Sequence, residues 1–318
     1  TLLALLVIVA ACGGSTNENK SDDDSTSPAT SANSSDGSAE PATDATTPAG
    51  PVESDECEDE PDPADFVDGE VPTALRPCEI PTVLQIHELR DGTGRSAQDG
   101  DTVIVDYVGI RAEDGSIFDD SYSRGVPLDF PLGRGSVIQG WDDGLIGTQA
   151  GTAVKLDIPA ELAYGDTPPG EGIEPGDALT FVVEVRSVIP PVTADDAPID
   201  IDIPSSVGAT EVTVTEVVAG DGAVAELGDT VVVHLLLVRG DNQVVIVNTW
   251  EASDPLQIIL AEGQTIPGLY EGLLGAQVGS TLAIAMPPEL AFGEQGEPTL
   301  GLPAGVDAIA VVEVVGVY

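Results

Sequence analysis

Three motifs of this chain occur twice, and one constant spacing separates the two occurrences. Gly100-Asp-Thr-Val-Ile-Val-Asp106 returns as Gly228-Asp-Thr-Val-Val-Val-His234. Gly140-Trp141-Asp-Asp-Gly144-Leu145 returns as Gly268-Leu269-Tyr-Glu-Gly272-Leu273, and Pro159-Ala-Glu-Leu162-Ala163-Tyr164-Gly165 as Pro287-Pro-Glu-Leu290-Ala291-Phe292-Gly293. The shift is 128 residues, as from Trp141 to Leu269 and from Tyr164 to Phe292. A single shift shared by three separate motifs marks a duplicated domain, not two unrelated β domains with similar turns. The 318 residues hold two such domains, read as 79–187 and 207–318 with a linker over 188–206.

Each copy reads as strands. Val103-Ile-Val-Asp-Tyr-Val108 and Ala178-Leu-Thr-Phe-Val-Val-Glu-Val185 are rich in β-branched and aromatic residues and are bounded by Gly-Asp and Pro-Gly turns. The one helical candidate is short, near Gly140 to Leu145, where Trp141 and Leu145 stand four apart on one face. An antiparallel sheet wrapped around one short helix, an α+β fold, is the simplest assembly. Only 4% of residues are aromatic, so each core must be largely Val, Leu, Ile and Ala.

The N-terminal stretch is different in kind. Residues 1–11 are apolar without a break up to Cys12. That run falls short of the roughly 20 apolar residues a membrane-spanning helix needs and reads as the h-region of a signal peptide. Val9-Ala10-Ala11-Cys12 resembles the bacterial lipobox, where cleavage precedes a diacylglyceryl-modified cysteine; two acyl chains on Cys12 would anchor the protein to a membrane. From Cys12 to Cys78 the expectation is a lipidated, unstructured tether: residues 13 to about 70 carry too few apolar side chains to offset chain entropy. In an exported protein Cys57 and Cys78 read as a disulfide clipping the tether to the first domain; a metal site lacks ligands, His87 and His234 being the two histidines. A net charge of −46, with Arg239 the one basic residue beyond 187, excludes nucleic acid as a partner.

Over about 105 residues the first copy resembles the FKBP family of prolyl isomerases. The matching stretches are Val105-Asp-Tyr107-Val-Gly109, Gly115-Ser-Ile-Phe118-Asp119-Asp-Ser121, Val137-Ile138-Gln-Gly140-Trp141, Ala163-Tyr164-Gly165 and Phe181-Val-Val-Glu184. The resemblance implies a half-open sheet curled over the helix with a pocket between them. It places Trp141 at the floor, with Tyr107, Phe118 and Phe181 as walls against a proline ring. Val137 and Asp119 would border the pocket, with Arg124 near Asp119. The Tyr164 hydroxyl and the Ile138 N–H would donate to carbonyls flanking the proline. No nucleophile, metal or cofactor is implied. Proline-containing unfolded or exported polypeptides would be the substrates, outside the cytoplasmic membrane, and a macrolide is a possible ligand. A surface chaperone or peptide-binding module without turnover is the rival reading. The loop after Tyr164 keeps Ile173 but has Pro169 and Gly172 where many relatives carry larger side chains, which leaves the flanking-residue preference open.

The second copy has lost these residues. Leu235 replaces Tyr107, Leu269 replaces Trp141 and Phe292 replaces Tyr164. Allowing a one-residue insertion, Val247 and Asn248 stand where Phe118 and Asp119 did, and Ala310 stands opposite Phe181; Ile266 alone matches, at Ile138. Isomerase activity is not expected there, although Trp250, Tyr270 and Phe292 could line an apolar groove or belong to the core.

Overall fold

The computed structural model describes residues 56–59, 61, 66–67, 70–170, 172–198 and 210–318. Cys12 and the apolar run before it lie outside these residues. Among the described residues no helix is long and apolar enough to cross a membrane.

The first domain runs β1 (Gln85–Arg90), β2 (Thr102–Arg111), β3 (Ile117–Asp120), β4 (Leu128–Pro131), α1 (Gln139–Leu145), β5 (Ala153–Ile158) and β6 (Leu179–Ile189). The strands form one antiparallel sheet in the order β1-β5-β6-β2-β3, with β4 also paired to β2. The second domain repeats this plan with β7 (Thr213–Val218), β8 (Thr230–Arg239), β9 (Val245–Asn248), β10 (Leu256–Ile259), α2 (Pro267–Leu273), β11 (Thr281–Met286) and β12 (Ala308–Val317). Two curled antiparallel sheets, each over one short helix, are the α+β arrangement that the duplicated motifs imply.

The helices sit close to their sheets because glycines face them. A Cβ on Gly140 would lie 2.4 Å from Ile158 Cγ2, and one on Gly272 would lie 2.6 Å from Ile284 Cγ2. Trp141 and Leu145 are buried on the sheet side of α1. Beneath it, Val103, Val105, Leu156, Ile158 and Val183 make the first core, and Leu235, Leu237, Ile284 and Val312 make the second.

Strands β2 and β8 are buried on both faces, so something must cover the outer side of each sheet. In the first domain Phe66, Val71 and Ala74 pack against Leu89, Val108, Ile110 and Val182. The Cys57–Cys78 disulfide, with 4.9 Å between Cα atoms, closes this strap. Lys155 Nζ donates to the Glu58 carbonyl at 2.8 Å, and Cys57 bridges to Arg76. The expected tether is therefore shorter than 12–78, because its described residues from 56 onward cover apolar sheet surface that would otherwise meet water. In the second domain Val192 and Ala197, from the stretch read as linker, pack on Leu236, Val238, Trp250 and Ile309. The boundary at 187 also moves, since β6 continues to Ile189. Between the sheets, Ile104 and Ile189 meet Val232, with Val315 and Tyr318 at the margin.

Candidate functional site

Period-two alternation turns Tyr107 of β2 and Phe181 of β6 toward the helix, and the β3 strand brings Phe118 and Asp119 to the same opening. Val137 and Ile138 lead into α1, whose first turn carries Trp141. Tyr164 follows a 3-10 turn over Ala160–Leu162. The rings pack edge to face: Tyr107 and Trp141 centroids lie 5.2 Å apart at 85°, Trp141 and Phe181 5.1 Å apart at 84°, and Phe118 and Phe181 5.5 Å apart at 87°. This is the arrangement that aromatic quadrupoles favour. The rings border a cavity of about 460 Å³. Gly109 makes the packing possible, because a Cβ there would stand 2.8 Å from both Phe118 Cζ and Phe181 Cε1.

The polar groups divide into two sets. The Tyr107 hydroxyl donates to Asp119 Oδ2, Arg124 Nη1 pairs with Asp119 Oδ1, and Arg124 Nη2 donates to the Tyr107 oxygen at 2.9 Å. Burial, followed by the hydrogen bond to Asp119, pushes the Tyr107 phenol up to about 12. Both carboxylate oxygens of Asp119 are thereby engaged within this set. The second set has no internal partner. Neither the Tyr164 hydroxyl nor the Ile138 N–H makes a hydrogen bond among the described residues. Burial, and then the negative charge on Asp119, raise the Tyr164 phenol, so it stays a donor.

Tyr107, Phe118, Asp119, Val137, Ile138, Trp141, Tyr164 and Phe181 all line this one cavity. Arg124 stands outside the lining and is tied to its rim through Asp119. Ile173 is half-buried against the first core, also outside the lining. Leu128, Phe130 and Ser136 line the cavity as well, and the sequence reading missed them. Phe130 is tilted against Trp141 at 5.5 Å; its alternation with exposed Asp129 and Pro131 was the available signal. Cys57 and Cys78 belong to the strap on the other face of the sheet.

A family model described as FKBP-type peptidyl-prolyl cis-trans isomerase matches residues 93–186 and again residues 222–315. The chain belongs to the FKBP family. The FK506-binding protein of Streptomyces anulatus is 48% identical over 111 residues, which are 35% of this chain and 90% of that protein. Peptidyl-prolyl cis-trans isomerase FKBP10 of Homo sapiens is 32% identical over 227 residues, 71% of this chain but 34% of that protein. Among solved structures, FkpA from Escherichia coli shares 44% identity over 34% of this chain and 48% of its own, with a TM-score of 0.31.

The second FKBP domain is filled where the first is open. Strand register shows that the shift of 128 persists through β9: Leu237 pairs with Val247 as Gly109 pairs with Asp119. Ile246 and Val247 therefore stand for Phe118 and Asp119, which corrects the insertion assumed from sequence. The extra residue falls later, in the loop before β12, since Ala310 faces Leu237 as Phe181 faces Gly109. Leu237 occupies the space that Gly109 leaves for two rings, and Leu302 from that longer loop is 1% exposed in the core. Trp250 is fully buried on the opposite face of the sheet and Phe292 is buried in the core, so these two rings line no groove.

Proposed function

We propose that the first domain catalyses prolyl cis–trans isomerisation in the aromatic cavity, on unfolded or exported polypeptides outside the cytoplasmic membrane. The observation that carries this reading is an aromatic-walled cavity with two hydrogen-bond donors, Tyr164 Oη–H and Ile138 N–H, that no other group among the described residues uses.

Amide resonance sets a barrier of ~18–20 kcal/mol to rotation about the X–Pro bond, and uncatalysed exchange takes roughly tens to hundreds of seconds. Resonance also places negative charge on the amide oxygen, so water stabilises the planar form more than the twisted one. An apolar cavity removes that water, and its rings hold the twisted imide better than either planar isomer. Tyr164 and the Ile138 N–H donate to carbonyls beside the proline and hold the chain in register. No bond to the protein forms. The second domain, filled by Leu237, Leu269 and Leu302, supplies no turnover.

A protease-coupled assay on a Leu-Pro tetrapeptide tests the site. Loss of one neutral hydrogen bond, about 1 kcal/mol, should lower kcat/KM of Tyr164→Phe by roughly five-fold. Phe118→Ala, which removes a wall, should lower it further. Full activity in both variants would place catalysis elsewhere. A macrolide that fills the cavity should inhibit competitively. The extracytoplasmic placement draws support from Val9-Ala10-Ala11-Cys12 and the disulfide pairing. The lipobox reading fails if Cys12→Ala leaves the mature protein firmly in the membrane fraction.

A further inference from the structure

Among the described residues strand β7 is the edge of the second sheet, paired to β11 alone, and all six of its residues are exposed. Val214 and Glu216 face the same side as α2. Between them and the turn after that helix lies a hollow of about 200 Å³. Val214 and Leu274 border it at 44% and 47% exposure. Glu216 and Glu271 are exposed at the same hollow, and neither has an ion partner among the described residues. Ser280 also lines it; this side chain is 1% exposed, and its Oγ has no hydrogen-bond partner among the described residues. The equivalent Thr152 of the first copy is engaged, accepting from the Gly92 N–H at 3.1 Å.

The pattern occurs in both copies. At the shift of 128, Ile86 and Ile146 are each 50% exposed, and Glu88 and Asp143 are exposed carboxylates. The surface has thus outlived the divergence that erased the aromatic cavity. Solvent-facing edges are ordinarily protected by charge, proline or a covering segment, and β7 carries one charge and no proline.

We propose that β7 and the adjoining hollow bind an extended polypeptide segment as an added strand, one that carries an apolar side chain and, two residues on, a Lys or Arg. Residues two apart on a strand share a face, so the apolar group meets Val214 and Leu274 while the cation reaches Glu216 and Glu271. The Ser280 hydroxyl remains to bond the incoming chain. A second copy of this chain is a poor occupant. Two bodies of charge −46 repel, and Arg239, the one basic residue beyond 187, is already paired with Asp241 at 2.7 Å.

The test is hydrogen exchange by mass spectrometry on the full chain, with a proline-free Thr-Val-Thr-Lys-Thr-Val-Thr-Lys peptide as probe. The outward-facing amides of Thr213–Val218 should be protected by this peptide and not by one with Glu in place of Lys. High salt should weaken the effect, and Glu216→Lys with Glu271→Lys should reduce affinity at least tenfold while leaving prolyl turnover unchanged. The proposal is overturned if the peptide gives no protection, if the double variant binds equally well, or if the edge is already protected without peptide.

Discussion

Gly109 and Leu237 hold the same place in the two sheets, and the difference between them decides what each domain can do. A bare backbone at Gly109 lets two phenylalanine rings close over it, and those rings form one side of an open cavity. A leucine at the same point, with Ile246 and Ala310 in place of the rings, belongs to the apolar core of the second domain. Tyr107 adds a second residue-scale consequence. Its phenol is raised to about 12 in the fold, whereas an unfolded chain ionises near about 10. Between those values the unfolded state releases a proton that the native state keeps. The stabilising contribution is therefore complete below the lower value and is lost as pH rises through the upper one. Urea midpoints of the first domain should fall above about pH 10, and Tyr107→Phe should flatten that fall.

At the scale of elements, the two sheets protect their outer faces by different chemistry. The first keeps charge there: Arg186 Nε donates to Asp106 Oδ2 at 2.8 Å, Arg90 Nη2 to Glu184 Oε1 at 2.6 Å, and buried Lys155 stands 3.4 Å from Asp157. The second places Ala283, Ala285 and Val315 at the matching points of Lys155, Asp157 and Arg186. Pairing buried charge demands a fixed cover, and the strap supplies it through the Glu58 carbonyl. The disulfide spans 21 residues, and closing a loop of that size is worth about 3 kcal/mol. Replacing both cysteines by serine should cost the first domain that much in urea unfolding and make Lys155 open to acylation. Prolyl turnover should survive, since the cavity is on the other face. In the second sheet His234 lies 5.2 Å from the Trp250 ring, and burial lowers its pKa below the ordinary histidine value. A depressed histidine adds stability above about 6.5 that is lost as pH falls through the folded value. Melting of the second domain should drop more steeply on acidification than in His234→Gln, and equal slopes would show that the histidine has no part in it.

Taken whole, the molecule is two sheets in contact through Ile104, Ile189 and Val232 of interior strands, with β6 packed against β12. Gly316 leaves no room for a side chain at that contact, because a Cβ there would lie 2.1 Å from Ser187 Oγ. Gly316→Val should push the domains apart while each still folds. Calorimetry would then resolve two transitions where coupled domains give overlapping ones, and small-angle scattering would show a larger radius. An unchanged radius would mean that the contact carries no weight.

The duplication and the α+β plan were legible in the chain itself, because each depends on local pattern. Turns and strands follow from side-chain type at a fixed period, whereas the cavity residues were legible through the resemblance of their motifs to the FKBP family. What needed the tertiary structure was everything set by register and packing. The place of the extra residue in the second copy was visible only when Leu237 was seen opposite Val247. Phe130 and Gly109 gained their roles from neighbours far away in sequence. Residues 56–78 read as tether because they are polar on average. A few apolar side chains, Phe66, Val71 and Ala74, suffice to dock a segment when a disulfide has already removed much of its freedom. Composition averages over a segment, whereas packing depends on which individual side chains meet a partner.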